Sequence, residues 1–264
     1  MAISSPRNVR VQAARRLRRR SHRDREGAFL VEGAVLVADA LGSGADVDEV
    51  FVVPGASDEI ERLAAAAGVP VYRVNERVLG SIADAATPQG VVARVRYRDA
   101  GLDELVLKAG LVVVLADVRD PGNAGTLIRS ALAVGADAVM ACSGAVDLLH
   151  PKSVRAAAGA TFRIPLVRAG DFESAAADLR MGGLVIVGAD QSGARVWGAD
   201  LTRPIAIVVG NEAWGLAPSV RAALDEILAI PMPGPAESLN AGIAGSLLLF
   251  EALRQRSSVY PRNP

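Results

Sequence analysis

Two segments of the sequence, LVVVLADV (111–118) and PIAIVVG (204–210), contain apolar runs in which no polar residue alternates with the apolar ones. A strand with one face in water alternates, whereas a strand buried on both faces does not. Such strands occur in parallel sheets that helices cover on both sides. Segments with helical spacing separate the strands, at 125–134, 172–181, 218–224 and 241–256. The pattern therefore predicts an α/β layer fold.

A second, smaller α/β unit precedes this one. Short strand-like and helix-like segments alternate from 28–33 to 90–97, and a polar connector follows. A chain of 264 residues is long enough for two such units. We expect an N-terminal domain over residues 1–100, a linker at 101–110 and a C-terminal domain over 111–264.

Composition excludes several classes of protein. Cys142 is the single cysteine, so neither a disulfide framework nor a cysteine-based metal site is expected. The two histidines, His22 and His150, form no zinc pattern. Apolar runs stay shorter than the roughly 18 residues of a membrane span, and no apolar segment follows the basic N-terminus as in a secretory signal. We expect a cytoplasmic protein without metal or membrane partner.

Arginines crowd the N-terminus although the net charge of the chain is zero. Residues 9–20 are predicted as a basic helix, and Asp24 and Glu26 are the only acidic residues nearby. Such a block is typical of phosphate-backbone binding, but a solvated leader has the same composition. The cluster comprises Arg7, Arg10, Arg15, Arg16, Arg18, Arg19, Arg20, Arg23 and Arg25.

Three polar loops follow predicted strands, at the sheet edge where open α/β sheets bind ligands. They are DVRDPGNAGTLIRSA (117–131), VVGNEAWGL (208–216) and IPMPGPAESLNAGIAGSLLLFE (230–251). In the first, Asn123 is the predicted N-cap of the helix that carries Arg129. No strand is followed by a dinucleotide-binding glycine pattern, a phosphate-binding P-loop or a Gly-x-Ser-x-Gly elbow.

In order and in residue type, these loops resemble the three signature motifs of the SpoU (TrmH-like) family of RNA ribose 2'-O-methyltransferases, in the SPOUT superfamily. NAGTLIR resembles motif one, GNEAWGL motif two and the segment with Ser-Leu-Asn motif three. The segment HPKSVRAAAGATFRIPL (150–166) is similar to the middle of the family sequence. The N-terminal RRLRRRSHRDREGAFLVEGAVLVADAL is similar to the start of an L30e-like substrate-binding domain.

The resemblance implies a C-terminal α/β/α parallel-sheet domain with a deep trefoil knot and a smaller N-terminal L30e-like α/β domain. It implies methyl transfer from S-adenosylmethionine to a ribose 2'-hydroxyl of RNA, with 23S rRNA as the first expectation and tRNA as the second. A homodimer is also expected. A non-catalytic RNA-binding protein of the same fold is the alternative from another class, although the polar motif residues are all present.

The family also implies roles for particular residues. A catalytic group is expected to consist of Arg129, Asn123, Glu212 and Asn240. Cofactor contacts are expected from Gly210, Ile230, Met232, Leu239, Val187, Gly188 and Ala189. RNA contacts are expected from Ser238, Arg15, Arg16, Arg18, Arg19, Arg20 and Arg23.

The role of Arg129 and the residues after the Ser-Leu-Asn core leave alternatives open. Arg129 acts either as a general base or as a grip on phosphate that stabilises the alkoxide, and a guanidinium is a poor base. Ala241 and Gly242 follow the Ser-Leu-Asn core, where family members often have Val-Ser or Val-Ala. This difference bears on the shape of the cofactor pocket rather than on the polar groups.

Overall fold

The computed structural model describes residues 2–102 and 109–259, with the side chains of residues 258 and 259 left aside. Most of the linker predicted at 101–110 therefore lies outside the described residues. In chain order the elements are β1 (Ala2–Ile3), α1 (Val9–Arg16), α2 (Arg20–Glu26), β2 (Ala28–Glu32), α3 (Ala34–Gly42), β3 (Val47–Val52), α4 (Asp58–Ala66), β4 (Val71–Val74), α5 (Glu76–Ile82), β5 (Val91–Arg96), β6 (Leu111–Leu115), α6 (Pro121–Val134), β7 (Ala138–Ala141), α7 (Pro151–Ala157), β8 (Leu166–Arg168), α8 (Phe172–Met181), β9 (Val185–Arg195), β10 (Ile205–Val209), α9 (Pro218–Ala222), β11 (Glu226–Ala229) and α10 (Ala241–Val259).

The chain divides into two compact units. The first comprises Met1–Arg98 and Leu149–Phe162, and the second comprises Asp99–Leu148 and Arg163–Pro264. The first unit contains a five-stranded mixed sheet of order β1-β4-β3-β5-β2. Its strand β5 runs antiparallel to both β2 and β3, whereas β4 runs parallel to β1 and β3.

The arginine-rich segment is an integral part of the first unit rather than a leader. The helix predicted at 9–20 ends at Arg16, and the second helix, α2, begins at Arg20. Between them, the guanidinium of Arg23 donates hydrogen bonds to the carbonyls of Leu17 and Arg18 at 2.8 and 3.0 Å. These bonds satisfy carbonyls left open where α1 ends. Val11 and Leu17 are buried in the core of the unit. The segment is therefore folded and fixed in place.

Residues 149–162 also belong to the first unit, whereas the division predicted from sequence assigns them to the C-terminal domain. Two ion pairs hold this segment: Arg155 lies 3.3 Å from Asp84 and 3.6 Å from Glu32. The ring of Phe162 stacks on that of Phe29, with centroids 6.4 Å apart. Sequence position does not reveal such contacts, because the partners are more than 60 residues distant.

The second unit confirms the predicted parallel sheet. Its six strands have the order β11-β9-β10-β6-β7-β8, and every neighbouring pair is parallel. The apolar strands β6 and β10 lie side by side in the interior of the sheet, and all their residues are buried. Strand β9 has eleven residues and extends to Arg195.

The last helix, α10, packs closely against α6 and β10. At Gly245 a Cβ atom would lie 2.5 Å from Cδ2 of Leu127 and 2.8 Å from Cγ2 of Val209, so only glycine fits there without rearrangement. The hydroxyls of Ser130 and Ser246 form a hydrogen bond of 2.7 Å between the two helices. Small residues thus set the distance between α10 and the layer beneath it.

Near its C-terminal end, α10 is anchored by Arg256. The guanidinium donates hydrogen bonds to the carbonyls of Leu201, Gly110 and Arg203 at 3.0, 2.8 and 2.8 Å. Burial lowers the pKa of Arg256, against the opposing effect of Asp137. Within the described residues, none of the helices has the length and apolar character needed to cross a bilayer.

Replacing Gly245 with alanine should lower the free energy of unfolding by about 1–3 kcal/mol, because the added methyl group overfills a packed interface. Gly80→Ala is the matched control: Gly80 lies in α5 with open space around its Cα. There the better helix propensity of alanine should raise stability by up to about 1 kcal/mol. Urea unfolding of both variants measures the difference. Equal effects would contradict the close packing of α10.

Candidate active site

Part of strand β9, the ends of β10 and β11 with the loops that follow them, and the start of α10 surround a cavity of about 300 Å³ in the second unit. This is the edge at which parallel sheets bind ligands. The cavity is lined by Ala189, Asp190, Gln191, Val209, Gly210, Asn211, Glu212, Ala213, Trp214, Gly215, Leu228, Ile230, Met232, Ser238, Leu239, Ala241, Ala244 and Leu248. Most of these are aliphatic residues or glycines, and the polar side chains lie in β9, in the loop after β10 and in the loop before α10.

Of the residues predicted to contact a cofactor, five line this cavity: Ala189, Gly210, Ile230, Met232 and Leu239. The other two do not line it. Val187 is fully buried in β9, between β10 and β11. The space beside Gly188 is filled by the side chains of Leu216 and Leu224. The structure therefore gives Val187 and Gly188 a place in the sheet rather than at the cavity wall.

The carboxylate of Glu212 connects the loop after β10 to the start of α6. Its Oε1 accepts hydrogen bonds from the backbone N–H of Asp120 at 3.0 Å and from Nδ2 of Asn123 at 2.9 Å. Its Oε2 accepts from the backbone N–H of Arg119 at 3.1 Å. We call this arrangement the Glu212 clamp. It joins predicted motifs one and two through a single side chain.

The Glu212 clamp holds its carboxylate ionised. Burial opposes ionisation, but the hydrogen bonds from Asn123 and from the backbones of Asp120 and Arg119 outweigh it. The pKa of Glu212 is therefore lowered from its ordinary value of 4.5. Hydrogen bonds to a charged form stabilise that form.

The loop that carries Glu212 is a tight turn closed on itself. Asn211 and Gly215 exchange two backbone hydrogen bonds of 2.8 and 3.0 Å. The amide of Asn211 donates to the backbone carbonyl of Asp117 at 3.1 Å and accepts from the N–H of Ala213 at 2.8 Å. A Cβ at Gly210 would overlap the carbonyl of Gly215, so the chain can fold back here only with glycine.

Asn123 is not the N-cap of its helix, contrary to the sequence expectation. The cap is Asp120, whose side chain accepts from the N–H of Asn123 at 2.9 Å, and Pro121 occupies the first turn. Proline at that position is favoured because its missing N–H is not needed there. The buried amide of Asn123 is consequently available to Glu212.

Asn240 caps the last helix. Its side-chain oxygen accepts a hydrogen bond of 3.2 Å from the N–H of Ile243, which is the pattern of an N-cap. At Gly242 a Cβ would lie 3.2 Å from the side-chain oxygens of both Asn123 and Asn240. Gly242 therefore lets the start of α10 approach the start of α6. Ser238 and Leu239, just before this point, both line the cavity.

Arg129 is exposed on α6, nearly two turns beyond Asn123. Like Asn123 and Asn240, it is not among the residues that line the cavity. A hydrogen bond connects Asn123 with Glu212, and close packing at Gly242 brings Asn123 near Asn240.

The predicted RNA-binding arginines divide into two groups in the first unit. Those that are exposed are Arg15, Arg16, Arg18, Arg19 and Arg20. Arg23 is buried, and its guanidinium is bound to backbone carbonyls, so it stabilises the turn between α1 and α2 instead of facing a partner.

Sequence reasoning did not identify Asp117, Arg119 and Trp214 as site residues. Nε of Arg119 lies 2.9 Å from a carboxylate oxygen of Asp117, and its guanidinium carbon lies 5.8 Å from the centre of the Trp214 ring. All three lie inside the quoted loops. The contact between Arg119 and Trp214 joins two loops that are more than 90 residues apart in the sequence, so no local sequence pattern predicts it.

Two family models match the chain. Residues 110–250 match the SpoU rRNA Methylase family, and residues 8–93 match the MRM3-like substrate binding domain. A relative from Bacillus subtilis, 23S rRNA (guanosine(2553)-2'-O)-methyltransferase RlmP, is 33% identical, over 94% of this chain and 97% of its own.

The chain belongs to the SpoU rRNA methylase family.

Other similar proteins are also named as methyltransferases. The 23S rRNA (guanosine-2'-O-)-methyltransferase RlmB of Xanthomonas axonopodis pv. citri is 35% identical, over 86% of this chain and 96% of its own. An AdoMet-bound rRNA methyltransferase from Sinorhizobium meliloti superposes with a TM-score of 0.84 at 33% identity, covering 96% of this chain and 97% of that one. The SpoU methyltransferase AviRb from Streptomyces viridochromogenes, in complex with AdoMet, has a TM-score of 0.83 at 32% identity and covers 96% and 99%.

These matches confirm the predicted SpoU resemblance, the SpoU fold of the second unit and the presence of an N-terminal substrate-binding domain. The chain is a methyltransferase of this family. In the described part of the chain, no group of three or more His, Cys, Asp or Glu side chains is arranged to hold a metal ion.

Glu212→Gln should destabilise the second unit at neutral pH by at most about 1 kcal/mol, because a neutral amide oxygen is a weaker acceptor than the carboxylate and solvent screens the exposed charge. The folded-state pKa of Glu212 is lowered, so its contribution is fully present above the ordinary value of 4.5 and is lost as the pH falls through the folded value. The difference in unfolding free energy between wild type and variant should therefore shrink in acid.

The control for this prediction is Glu237→Gln, which removes an exposed carboxylate from the loop before α10. It should leave stability nearly unchanged at every pH. A Glu212→Gln deficit that persists undiminished below the pH range of carboxylate titration would contradict an ionised Glu212 clamp.

Proposed function

We propose that the protein transfers the methyl group of S-adenosylmethionine to a ribose 2'-hydroxyl of 23S rRNA. The observation that carries this proposal is the Glu212 clamp at the rim of an aliphatic cavity, because it places the polar residues of two motifs beside a pocket suited to a nucleoside. The names of the relatives from Bacillus subtilis and Xanthomonas axonopodis pv. citri support 23S rRNA as substrate.

The cavity fits the cofactor in size and chemistry. About 300 Å³ is at the lower end of small-molecule pockets, and aliphatic walls with a few polar groups suit an adenosine. Gly210, Ile230, Met232, Leu239 and Ala189 would hold it, with the backbone of the tight turn facing it. The sulfonium of S-adenosylmethionine supplies an activated methyl group, so the reaction requires no metal.

The residues of the protein then have two tasks, aligning the hydroxyl and accommodating its proton. Alignment alone contributes about 7–11 kcal/mol in favourable cases. The Glu212 clamp fixes Asn123 against Asp120, which keeps the rim of the cavity rigid without direct contact to the reacting atoms. Asn240 fixes the start of α10, and Ser238 lies beside it as a group for an RNA phosphate.

We assign Arg129 to the electrostatic role. A guanidinium stays protonated, so it is suited to binding a phosphate and stabilising a developing alkoxide rather than to accepting a proton. The proton of the 2'-hydroxyl is then released to solvent water as the bond from oxygen to the methyl carbon forms and the bond from that carbon to sulfur breaks. Arg129 is exposed on α6, where its guanidinium is accessible to a site that a second copy of the chain completes.

The proposed dimer has support in α10. Ile243, Leu247 and Phe250 are exposed at spacings of four and three residues, so they form one apolar stripe along the helix. Exposed stripes of this kind mark interaction sites. We propose that a second copy covers the stripe, since α10 packs against the helix that carries Arg129.

The first unit would supply affinity for RNA. Its exposed arginines, Arg15, Arg16, Arg18, Arg19 and Arg20, are suited to phosphate contacts, which position RNA without reading its sequence. A cytoplasmic location is proposed together with the rRNA substrate.

We also propose that the second unit contains a trefoil knot and that α10 is the helix threaded through it. The close packing at Gly242 and Gly245 supports this proposal, because a threaded helix needs small residues.

The test of this function is a map of ribose methylation. A deletion strain should lack one 2'-O-methyl group in 23S rRNA that the parent strain carries, and the plasmid-borne gene should restore it. A complete set of methyl groups in the deletion strain, together with no transfer to unmodified 23S rRNA by the purified protein, would refute the proposal.

Arg129→Ala should abolish most methyl transfer while leaving stability and cofactor affinity unchanged, since the side chain is exposed and outside the cavity. Arg129→Lys should be nearly as inactive, because an ammonium lacks the planar fork. Single-turnover kinetics and calorimetry with S-adenosylmethionine measure both quantities. Thr126→Ala, at an exposed position one turn earlier, is the control. Near wild-type turnover by Arg129→Ala would contradict the assignment.

Leu239→Asp should weaken cofactor binding severely, because the new carboxylate would lose its water against the face of the adenine ring. Leu239→Met should have a mild effect, since size and polarity are kept. Ser238→Ala should instead keep cofactor affinity and lower RNA-dependent turnover several-fold, as expected for the loss of a ~1 kcal/mol phosphate contact. Calorimetry beside steady-state kinetics separates the two effects. Loss of cofactor affinity in Ser238→Ala would show that the two side chains have the opposite roles.

A further inference from the structure

One large aromatic side chain at the rim of the cavity has no role in the chemistry described above. Trp214 lines the cavity, yet 61% of it is exposed. Aromatic residues make up only 4% of the chain, so an indole in water at this point is unusual for this protein. An exposed indole has a large apolar surface that would favour binding of a partner that covers it.

The backbone that carries Trp214 is held in place. Trp214 lies between Ala213, whose N–H is bound by the side chain of Asn211, and Gly215, which exchanges backbone hydrogen bonds with Asn211. Glu212, in the same turn, is fixed by its clamp. The turn therefore presents the indole from a rigid frame, and little conformational entropy remains to be lost when a partner covers it.

A cation lies over the ring. The guanidinium carbon of Arg119 is 5.8 Å from the centre of the Trp214 ring, within the range of a cation–π interaction. Asp117 orients the guanidinium through Nε at 2.9 Å. An exposed aromatic ring next to a positive charge is the combination with which proteins bind single-stranded nucleic acid, since the ring stacks on a base and the cation attracts the phosphate.

We propose that Trp214 is a stacking platform for a base of the RNA substrate next to the target ribose, with Arg119 contacting the adjoining phosphate. The proposal rests on the proposed RNA methyltransferase function and adds a substrate-binding residue to it. A base that stacks on a ring must be out of its helix, so the substrate is an unpaired nucleotide in a loop or bulge. Stacking tolerates every base, and Trp214 therefore favours unpaired RNA without selecting its sequence.

A fluorescence experiment observes the contact directly. The chain has two tryptophans, so Trp197→Phe leaves Trp214 as the single indole. Titration of this variant with a nine-nucleotide single-stranded RNA should quench its emission, and the same RNA annealed to its complement should quench it much less. Trp214→Phe, in which Trp197 remains, is the control and should not respond. Equal responses from the two tryptophans, or none from Trp214, would overturn the proposal.

Steady-state kinetics of variants test whether Trp214 contributes to RNA binding. Trp214→Ala should raise the KM for unpaired RNA about ten-fold, whereas Trp214→Phe should keep most of the affinity because it keeps an aromatic face. The affinity for S-adenosylmethionine, measured by calorimetry, should not change. Trp197→Ala is the matched control, because Trp197 is 56% exposed and does not line the cavity. Its KM should equal that of the wild type.

Two outcomes would overturn the proposal. Weaker S-adenosylmethionine binding by Trp214→Ala with an unchanged KM for RNA would mean that the indole covers the cofactor. Wild-type kinetics for Trp214→Ala would mean that it contacts neither ligand. The proposed function is judged separately, on methyl transfer by the wild-type protein: RNA quenching of Trp214 without any transfer would refute the function and keep the platform.

Discussion

The carboxylate of Glu212 is the interaction on which the arrangement of the site depends. It accepts hydrogen bonds from Asn123 and from the backbones of Arg119 and Asp120, so one side chain fixes the loops after β6 and β10 together. Those strands are neighbours in the parallel sheet, and their carboxyl ends lie at the same edge. Without the clamp the two loops would be joined mainly through Asn211 and the backbone of Asp117. The cavity rim would lose its most direct link between motifs one and two.

The clamp is possible because small residues let three segments approach. Gly210 allows the tight turn that carries Glu212, and Gly242 allows α10 to begin beside Asn123. Gly245 then lets the same helix pack on Leu127 and Val209. Glycines therefore occupy the positions where the backbone lies close to a neighbouring segment, and the buried strands of the parallel sheet hold these segments in place. The replacement of larger residues by Ala241 and Gly242 after the Ser-Leu-Asn core is consistent with this close approach.

Much of the fold was predictable because its signals are local. The apolar runs of β6 and β10 predicted buried parallel strands, and the three motifs predicted which loops meet at the sheet edge. Contacts between distant residues were not predictable. Arg23 ends α1 by binding Leu17 and Arg18, and residues 149–162 join the first unit through Arg155 and Phe162.

The candidate site shows the same limit. The resemblance to the family singled out Asn123 and Glu212 but gave no sign that they bond to one another. The N-cap was misassigned because both Asp120 and Asn123 are good caps, and only the position of Pro121 in the first turn favours the former. Val187 and Gly188 were expected at the cavity from their place near a strand end, but Val187 is buried within the sheet and the side chains of Leu216 and Leu224 fill the space beside Gly188.

The central claim is that the Glu212 clamp and the cavity serve methyl transfer to a ribose 2'-hydroxyl. Its most direct test is single-turnover transfer from radiolabelled S-adenosylmethionine to a 23S rRNA fragment that contains the mapped nucleotide. A second fragment carries a 2'-deoxy sugar at that nucleotide alone. The account predicts full labelling of the first fragment and none of the second. Labelling of the 2'-deoxy fragment to the same extent would show that the methyl group goes to another atom and would contradict the account.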